Sequence, residues 1–445
     1  MSIFRFIHTA DIHLGSFLHI SGMEKHPKLK ELSRKATYQA FENICNIAVE
    51  NKAAFILISG DLYDREARSV RANRFFVDAC RRLEKERIRV FVTAGNHDPA
   101  KEYKELFRLP DNVYVFSASE PELILVNDTG GEPIAAVSGQ SYGERWERSP
   151  LHAHYPVSDA DVFRIAMLHT QLETGRSNYI PASSADLSGR SGFDYWALGH
   201  IHQPQIIKED KPVIAYSGAP QGRDFGEQGL KGCWLVEVEK IGGVSSFRAN
   251  MKFQVTSPVI YHTFFIDIGC PELAEAESFD QLEAYLIEEA EKLEEKIRAE
   301  HSLVEGILVR WEIGGRGRLH FLFSEDIEGS QDEIRRLLRT SLGHRFPFVW
   351  TDSVILRTKD PAAEEVLVRH PMLKEYLDQI IMDIRQGEPA RKSLISQLGQ
   401  MWTQKADYED MDEKRFFLDE STLENMLDEA VQLILNGLIE AGGRE

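Results

Sequence analysis

The stretch YWALGHIHQP, residues 195–204, is an apolar run of strand length that passes into a polar loop at a glycine. Side chains alternate along an extended strand, so residues two apart point to the same side. His200 and His202 are therefore predicted to project together from a strand end or its turn. Histidine is the commonest metal ligand in proteins, but one isolated pair has ordinary structural explanations. The pair becomes informative only if other strand ends supply further ligands.

The same pattern recurs through about the first 255 residues. Three more apolar runs each pass into a polar loop: AAFILISGDLYD (53–64), RIRVFVTAGNHD (87–98) and VFRIAMLHT (162–170). Continuous apolar runs of this length are typical of strands that are buried on both faces. Between them, ATYQAFENICNIAVENK (36–52) has the spacing of a covering helix. We therefore predict an α/β fold whose functional loops lie at strand ends.

Two later changes of pattern divide the chain. A helical pattern at 277–301 is surrounded by apolar runs that predict strands: YHTFFIDIG (261–269), GILVRWEI (306–313), RLHFLFS (318–324) and SVILRT (353–358). These elements predict a small α+β domain. Beyond residue 360 only helical patterns remain, and one apolar face consists of Leu373, Tyr376, Leu377, Ile380, Ile381 and Ile384. The predicted domains are 1–258, 259–360 and 361–445.

Charge is spread unevenly over these three segments. The 445-residue chain has a formal net charge of −19, to which residues 1–258 contribute −1 and each of the other segments −9. Contacts to phosphates drive most of the affinity for nucleic acid, so such a chain is a poor autonomous binder of polyanions. A nucleic-acid substrate would need a local basic surface or one that a partner supplies.

Cysteine usage and hydropathy indicate the compartment. The four cysteines are scattered without a CxxC pair, which fits a reducing compartment and argues against a thiolate zinc site. The sequence MSIFRFIHTADIHLG has no long apolar core or small-residue cleavage site, and no stretch approaches 18 apolar residues. These features predict a cytoplasmic protein that does not span a membrane.

Seven nitrogen and oxygen donors follow the apolar strands. They are two carboxylates, one amide and four imidazoles: Asp11, His13, Asp61, Asn96, His169, His200 and His202. Taken singly, each has a structural explanation, such as a turn residue or a helix cap. Their occurrence in five motifs, each at the end of an apolar strand, predicts one shared site instead.

This donor set suits two adjacent divalent metal ions. Asp61 is the predicted bridge between one group (Asp11, His13 and His202) and another (Asn96, His169 and His200). Mixed nitrogen and oxygen ligands without thiolate favour Mn²⁺, Fe²⁺ or Zn²⁺ over a closed structural zinc site. Two ions about 3.5–4 Å apart activate water and stabilise the leaving oxygen in phosphoester displacement.

His97 and Asp98 complete the predicted catalytic residues. His97 lies beside a ligand of the second group, and Asp98 follows it directly. A protonated imidazole in this position is predicted to donate to the leaving oxygen or to stabilise the charge of the reacting phosphate.

In this order, the motifs DxH, GDxxD, GNHD, a lone histidine and GHxH resemble those of the calcineurin-like metallophosphoesterases, over residues 1 to about 255. HTADIHLG, GDLYD, GNHD and YSGAPQGRDFGEQGLKGCWLVEVE (216–239) are similar, more narrowly, to SbcD-type nucleases of the meiotic-recombination-eleven family and to its YhaO-like branch. The resemblance implies a four-layer α/β/β/α metallophosphoesterase sandwich, a small α+β capping domain and a helical partner-docking region.

The same resemblance implies a function and partners. Members of the family are manganese-dependent DNA exonucleases or endonucleases in DNA repair and recombination. They work with an SMC-type, SbcC-like ATPase, and the resemblance also implies a homodimer. Asp64 stands where some members have a histidine, which leaves open whether this chain handles a DNA end as they do.

Basic and apolar side chains supply candidate binding residues. DREARSVRANR (64–74) places arginines at three-residue spacing, which on a helix would bring them near one face. The predicted phosphate contacts are Arg65, Arg68, Arg71 and, in the loop after GHIH, Arg223. A solvated helix face is the alternative. Leu377 and Ile381 are predicted to dock the ATPase, and packing of the tail helices on the chain itself is the alternative.

Two other functions stay open. One is a different phosphoesterase, acting on cyclic nucleotides, nucleotides or phosphoproteins. Protein phosphatases of the superfamily typically show GDxVDRG and GNHE, whereas this chain has GDLYD and GNHD. The other is a metal-free scaffold that keeps the fold and binds a partner. The presence of all seven donors and of His97 argues against it.

Overall fold

The computed structural model describes residues 3–64, 67–101, 106–173, 179–242, 246–345, 347–361 and 369–386, and isolated positions from 389 to 437. The strands are β1 (Ile3–Thr9), β2 (Phe55–Ser59), β3 (Arg89–Thr93), β4 (Val113–Val115), β5 (Glu122–Asn127), β6 (Pro133–Gly139), β7 (Phe163–His169), β8 (Tyr195–Gly199), β9 (Gln205–Lys208), β10 (Val213–Tyr216), β11 (Gly232–Lys240), β12 (Phe247–Val255), β13 (Val259–Asp267), β14 (Gly306–Arg316) and β15 (Phe348–Lys359). The α-helices are α1 (Pro27–Glu50), α2 (Val70–Lys85), α3 (Ser184–Gly189), α4 (Phe279–Glu300), α5 (His320–Phe323), α6 (Ile327–Leu342) and α7 (Pro371–Gln386).

Two six-stranded sheets form the N-terminal part of the chain. Their strand orders are β12-β11-β1-β2-β3-β4 and β5-β6-β7-β8-β10-β9. Strands β1 to β4 are parallel to one another, and so are β6, β7, β8 and β10, while the antiparallel strands lie toward the edges. Parallel strands that are covered on both faces require apolar side chains at successive positions. The sequence therefore has continuous apolar runs because these parallel strands are covered on both faces.

Three apolar clusters separate four layers. The first cluster joins α1 and α2 to one face of the first sheet and includes Phe41 and Ile56. The second lies between the two sheets and includes Phe55 and Ile165. The third covers the far face of the second sheet, around Trp196, with α3 and its neighbouring loops. Adjacent β2 residues thus enter different clusters, and the predicted four-layer α/β/β/α fold is confirmed.

The sandwich brings the predicted motifs to neighbouring strand ends. Strands β1, β2 and β3 are parallel neighbours in the first sheet and end within two residues of the DxH, GD and AGNHD motifs. Strands β7 and β8 are parallel neighbours in the second sheet and end at His169 and Gly199. Because the carboxyl ends of parallel strands share one edge, each sheet collects its own polar residues there.

The remainder of the chain contains a third sheet, of order β13-β14-β15. The predicted strands at 306–313 and 353–358 fall within it, the predicted strand at 261–269 overlaps β13, and the predicted helix at 277–301 contains α4. The predicted strand at 318–324 is wrong, because this segment contains the helix α5. Leu319 and Phe323, four residues apart, are buried while Phe321 is 55% exposed, which is helical periodicity.

The chain divides into two compact units, whose limits differ from those of the sequence segments. One unit contains residues 1–263, 287–310 and 335–353, and the other contains residues 264–286, 311–334 and 354–445. The first unit holds both six-stranded sheets. Residues of the third sheet belong to both units. The three-domain division of the sequence stays a prediction.

The tail is described mainly through α7. Its predicted helical pattern is confirmed, but Leu377 is buried and Ile381 is half-buried. The apolar side chains that α7 exposes are Met372, Tyr376, Ile380 and Met382. Within the described ranges, the helices are all too short or too polar to cross a membrane.

A buried hydrogen bond joins the two sheets and gives a test of this packing. His8 Nε2 donates to the Leu198 carbonyl at 3.1 Å, so His8 Nδ1 accepts from Tyr195 Oη at 2.9 Å. Burial lowers the pKa of His8 to about 3, which keeps the ring neutral. Both side chains are fully buried.

We predict that Tyr195→Phe lowers the free energy of unfolding by about 1–3 kcal/mol, because it leaves a buried acceptor without its donor. Tyr114→Phe is the matched control, since Tyr114 donates to Glu122 at a site that water reaches. Urea unfolding measures both. Equal effects of the two substitutions would contradict the buried bridge.

Candidate metal centre

Strained backbone marks the strand ends that carry the predicted ligands. Four of the seven adopt positive φ angles: Asp11 (52°), His13 (46°), Asp61 (52°) and His200 (100°). Such conformations are uncommon for residues other than glycine and cluster at functional sites. Hydrogen bonds between neighbouring loops hold the turns, with Asp11 N donating to the Gly60 carbonyl and His13 N to the Asp61 carbonyl, both at 3.1 Å. The surrounding structure therefore fixes the direction in which these side chains leave the sheet.

Glycine permits the close approach of the loops at two of these ends. A Cβ atom on Gly60, whose φ is +95°, would lie 2.1 Å from His169 Nδ1. A Cβ atom on Gly95 would lie 2.2 Å from Asp61 Oδ1. Both distances are far inside van der Waals contact, so any side chain at these positions would displace a predicted ligand.

The first predicted ligand group is assembled. His13 Nε2 and His202 Nε2 lie 3.3 Å apart, and His202 Nε2 lies 3.8 Å from Asp11 Oδ1. One donor atom from each of the three residues lies within 4.8 Å of the others. Asp11 and His13 are 1% exposed. His13 Nδ1 is buried and has no hydrogen-bond partner within the described part of the chain.

The second group is assembled around the side-chain amide of Asn96. Its Oδ1 lies 2.9 Å from His169 Nε2 and 3.3 Å from His200 Nδ1. His169 Nδ1 donates to the backbone carbonyl of Ser59 at 2.9 Å, which directs Nε2 toward Asn96. With Nδ1 held in this way, Nε2 is the nitrogen of His169 that faces the centre and would bind a metal ion.

Asp61 lies between the two groups. Its Oδ2 is 3.3 Å from His169 Nε2, in the second group, and 4.0 Å from His13 Nε2, in the first. Its Oδ1 accepts a hydrogen bond from the backbone N of His97 at 3.0 Å. The structure thus brings all seven predicted ligands to one place. The position of Asp61 is compatible with the bridge that the sequence predicts.

The electrostatics of the cluster fit cations. Burial lowers the pKa of His13 well below its usual range and that of His200 to about 3, so both rings are held in the neutral, metal-binding form. Burial would raise the pKa of Asp61, but its pair with His169 holds that pKa well below its usual value. Burial alone would lower the pKa of His169, and the charge of Asp61 raises it to about 9. Burial raises the pKa of the other carboxyl group, Asp11. Divalent ions at the centre would supply positive charge that favours the ionised form of both carboxyl groups.

His97 is placed at the edge of this cluster and held by Asp64. Its Nδ1 donates to Asp64 Oδ1 at 3.2 Å, and its side chain is 38% exposed. Burial lowers the pKa of His97, but the hydrogen bond to Asp64 and the charge of Asp61 together raise it above its ordinary value. Asp64, the last residue of the GDLYD motif, thus orients the imidazole of His97.

Asp98 has a different environment from that of His97. Its Oδ1 accepts from Gly95 N at 2.8 Å and its Oδ2 accepts from Tyr63 N at 3.1 Å. Burial raises its pKa to about 7. These contacts fasten the loop after β3 to the loop after β2, and a catalytic role for Asp98 stays a prediction.

The predicted phosphate-contact arginines do not share one helix. Helix α2 begins at Val70, where the Ser69 side chain caps it, so Arg68 precedes the helix and the expectation of a common helical face is wrong for it. Arg68 is half-buried over the Tyr63 ring, while Arg71 is exposed on α2. Arg65 lies outside the described residues.

The structure adds charged residues that the sequence patterns did not single out. Glu227 Oε1 accepts from His202 Nδ1 at 2.6 Å. Burial would raise the pKa of Glu227, but its contact with His202 and the charge of Arg223 lower it to about 2. Lys231 is 1% exposed and donates to the His202 carbonyl at 3.0 Å. Both lie in the stretch 216–239, where charged residues between glycines are the feature of the sequence that could have indicated a role for them.

Comparison with known proteins places the chain in a class. The model of the family described as calcineurin-like phosphoesterase matches residues 4–204. The uncharacterized metallophosphoesterase YhaO of Bacillus subtilis (strain 168) is 35% identical over 266 residues, which are 59% of this chain and 63% of that protein. Residues 4–204 therefore match the calcineurin-like phosphoesterase family, and the resemblance to that family seen in the sequence is confirmed.

Other relatives carry more specific names. The DNA double-strand break repair protein Mre11 of Methanocaldococcus jannaschii is 26% identical over 242 residues, which are 52% of this chain and 62% of that protein. A component of the nuclease SbcCD of Bacillus subtilis is 24% identical over 262 residues, which are 51% of this chain and 63% of that component. This chain thus matches less than two thirds of the length of each. A dimetal phosphatase from Danio rerio covers 56% of this chain and 98% of its own, at 12% identity and a TM-score of 0.34.

We predict that Asp61→Ala abolishes tight binding of divalent metal at both ligand groups, because Asp61 lies between them and supplies buried negative charge to each. Metal content after dialysis against Mn²⁺, measured by mass spectrometry, tests this prediction. Asp78→Ala is the control, since Asp78 is an exposed aspartate of α2 that pairs with Arg74 and Arg81. Full metal content in the Asp61 variant would contradict the shared centre.

Proposed function

We propose that the chain is a two-metal phosphodiesterase that acts on DNA, as an exonuclease or endonuclease that processes DNA ends. The observation that carries the proposal is the convergence of seven nitrogen and oxygen donors at the strand ends of the part of the chain that matches the calcineurin-like family. Their placement supports Asp11, His13 and His202 as ligands of one ion, and Asn96, His169 and His200 as ligands of the other, with Asp61 shared. We propose Mn²⁺, since the set lacks thiolate and mixes imidazole with carboxylate.

The chain's own residues supply the other parts of the reaction. Two divalent ions held by the seven donors would supply activation of water and stabilisation of the charge of a phosphodiester. His97 stands at the exposed edge of the cluster with Nδ1 on Asp64, so Nε2 is left to donate to a phosphate or leaving oxygen. The main chain of His97 is anchored on Asp61, which ties this donor to the ligand cluster. A preoriented donor of this type stabilises charge that develops during the reaction.

DNA is favoured as the substrate class by two observations. Two relatives are named for DNA double-strand break repair and as part of a nuclease. Arg71 is exposed at the start of α2, in the segment that follows the Asp61 loop, where it is available to a phosphate. Arg68 and Arg65 remain proposed contacts of the same kind.

We further propose that an SMC-type, SbcC-like ATPase partners the chain, and that the chain forms a homodimer. The net charge of −19 leaves little DNA affinity to the chain alone, which favours a partner that contributes it. Met372, Tyr376 and Ile380 form an exposed apolar stripe on α7 at four-residue spacing, as helix docking requires. Ile381 borders this stripe, whereas a role for Leu377 would need a change in its present packing. The cysteine pattern favours the cytoplasm as the site of action.

The test of this function is a comparison of substrates at one Mn²⁺ concentration. We expect hydrolysis of linear single-stranded or double-stranded DNA that EDTA abolishes, and a higher rate when an SbcC-like ATPase from the same organism is added. Cyclic nucleotides, nucleotides and phosphopeptides are the competing substrates, and the Asp61→Ala variant controls for contaminating nuclease. Faster hydrolysis of any competitor than of DNA would overturn the assignment.

His97→Gln separates metal binding from catalysis. We predict near-normal Mn²⁺ content, because the side chain of His97 is not among the seven donors. Turnover is expected to fall on the order of 10²–10⁴-fold, as for a lost proton donor or charge stabiliser. Metal analysis and initial rates on the same preparation give both values. Loss of metal together with activity would make His97 a ligand and contradict this role.

A further inference from the structure

A segment outside the family match holds His202 from three sides. The family model ends at residue 204, whereas this segment lies between β10 and β11, at 217–231. Glu227 Oε1 accepts from the ring nitrogen Nδ1 of His202 at 2.6 Å. The carbonyl oxygen of His202 accepts from Lys231 Nζ at 3.0 Å and from Ala219 N at 3.1 Å. Both the imidazole and the main chain of this proposed ligand are therefore fixed by the same segment.

The contact with Glu227 determines which nitrogen of His202 faces the centre. A carboxylate accepts hydrogen bonds and does not donate them, so Nδ1 carries the proton. Nε2 therefore faces the centre, 3.3 Å from His13 Nε2 and 3.8 Å from Asp11 Oδ1, and in the neutral ring it is the nitrogen without a proton. A carboxylate on the outer nitrogen of a ligating histidine fixes the tautomer, orients the ring and makes the inner nitrogen more basic.

Arg223 connects this carboxylate to the one that holds His97. Its backbone N donates to Glu227 Oε2 at 3.0 Å, and its Nη2 lies 3.3 Å from Glu227 Oε1. Its Nη1 donates to Asp64 Oδ2 at 3.0 Å. The side chains of Glu227 and Arg223 are only 13% and 19% exposed, so these ion pairs are shielded from water. A partly buried pair of this kind holds geometry more firmly than an exposed one.

We propose that Glu227, braced by Arg223, is a positioning residue that sets the metal affinity of the Asp11–His13–His202 group through His202. This inference rests on the two-metal centre of the proposed function. Glu227 touches neither the proposed substrate nor the donor atoms directly. It follows that the stretch after GHIH, which the general family model does not reach, belongs to the centre and does more than connect two strands.

A purely structural role for Glu227 makes a different prediction. If Glu227 only stabilises its loop, its removal would lower the free energy of unfolding of the metal-free protein and leave the intrinsic affinity for metal unchanged. A positioning carboxylate lowers affinity at one group and does so only while His202 is present. A double-mutant cycle on metal affinity separates these cases.

The experiment measures Mn²⁺ binding to the full chain by calorimetry, beside urea unfolding in EDTA. The variants are Glu227→Ala, Glu227→Gln, His202→Ala and the double variant His202→Ala/Glu227→Ala. We expect Glu227→Ala to weaken one of two Mn²⁺ sites by about 10–100-fold. Glu227→Gln, whose amide oxygen still accepts a hydrogen bond, should lie between it and the unsubstituted chain. In the His202→Ala background, Glu227→Ala should have no further effect on affinity.

Glu239→Ala is the matched control, because Glu239 lies on β11, away from the centre, and is expected to leave both Mn²⁺ sites unchanged. Unchanged Mn²⁺ affinity in Glu227→Ala, or an equal loss with and without His202, would overturn the inference and leave the two-metal function intact. If the unsubstituted chain binds no pair of Mn²⁺ ions, the proposed function fails and the inference with it. The calorimetric result for the unsubstituted chain therefore distinguishes the two failures.

Discussion

The burial of two carboxylates at one edge of a sandwich constrains everything around them. Asp11 and Asp61 are each 1% exposed, and a buried charge costs several kcal/mol unless it is paired and hydrogen-bonded. Backbone amides supply some of these hydrogen bonds. His200 N donates to both oxygens of Asp11, and His97 N donates to Asp61. Histidine rings lie beside both carboxylates as well, with His202 near Asp11 and His169 near Asp61. The positive φ angles in these loops place the amides and rings close to the carboxylates.

Three of the five histidines at the centre are held in the same way. His169, His202 and His97 each donate from Nδ1 to an oxygen outside the donor cluster: a carbonyl of Ser59, the carboxylate of Glu227 and that of Asp64. In each case the proton on one nitrogen is fixed and the other nitrogen is left to act. The proposed ligands His169 and His202 differ from the proposed acid His97 in the direction of Nε2. The oxygen that accepts from Nδ1 of each ring sets that direction. The outer oxygens therefore define the chemistry as much as the inner nitrogens do.

Local sequence pattern predicts whatever depends on the period of a strand or helix. The seven donors are predictable because parallel strands bring their carboxyl ends together. The four layers are predictable because continuous apolar runs indicate strands that are covered on both faces. Glu227 and Lys231 are not, because their partner His202 lies 25 and 29 residues away around a loop without periodicity. The segment 318–324 is ambiguous as a short apolar run, and the burial of Leu319 and Phe323 decides for a helix. The sequence predicts that Arg223 faces phosphate, and only the fold reveals two carboxylates beside it.

The origin of the donors has a consequence for folding. Asp11, His13, Asp61 and Asn96 follow strands of the first sheet, while His169, His200 and His202 come from the second. Ions held by both sets would act as cross-links between the sheets at the strand ends that carry the donors. Ligand that binds only the native state stabilises it by about 1.4 kcal/mol for each tenfold excess over its dissociation constant. The concentration of metal would then affect the free energy of unfolding of the sandwich as well as its activity, and a chelator would lower both.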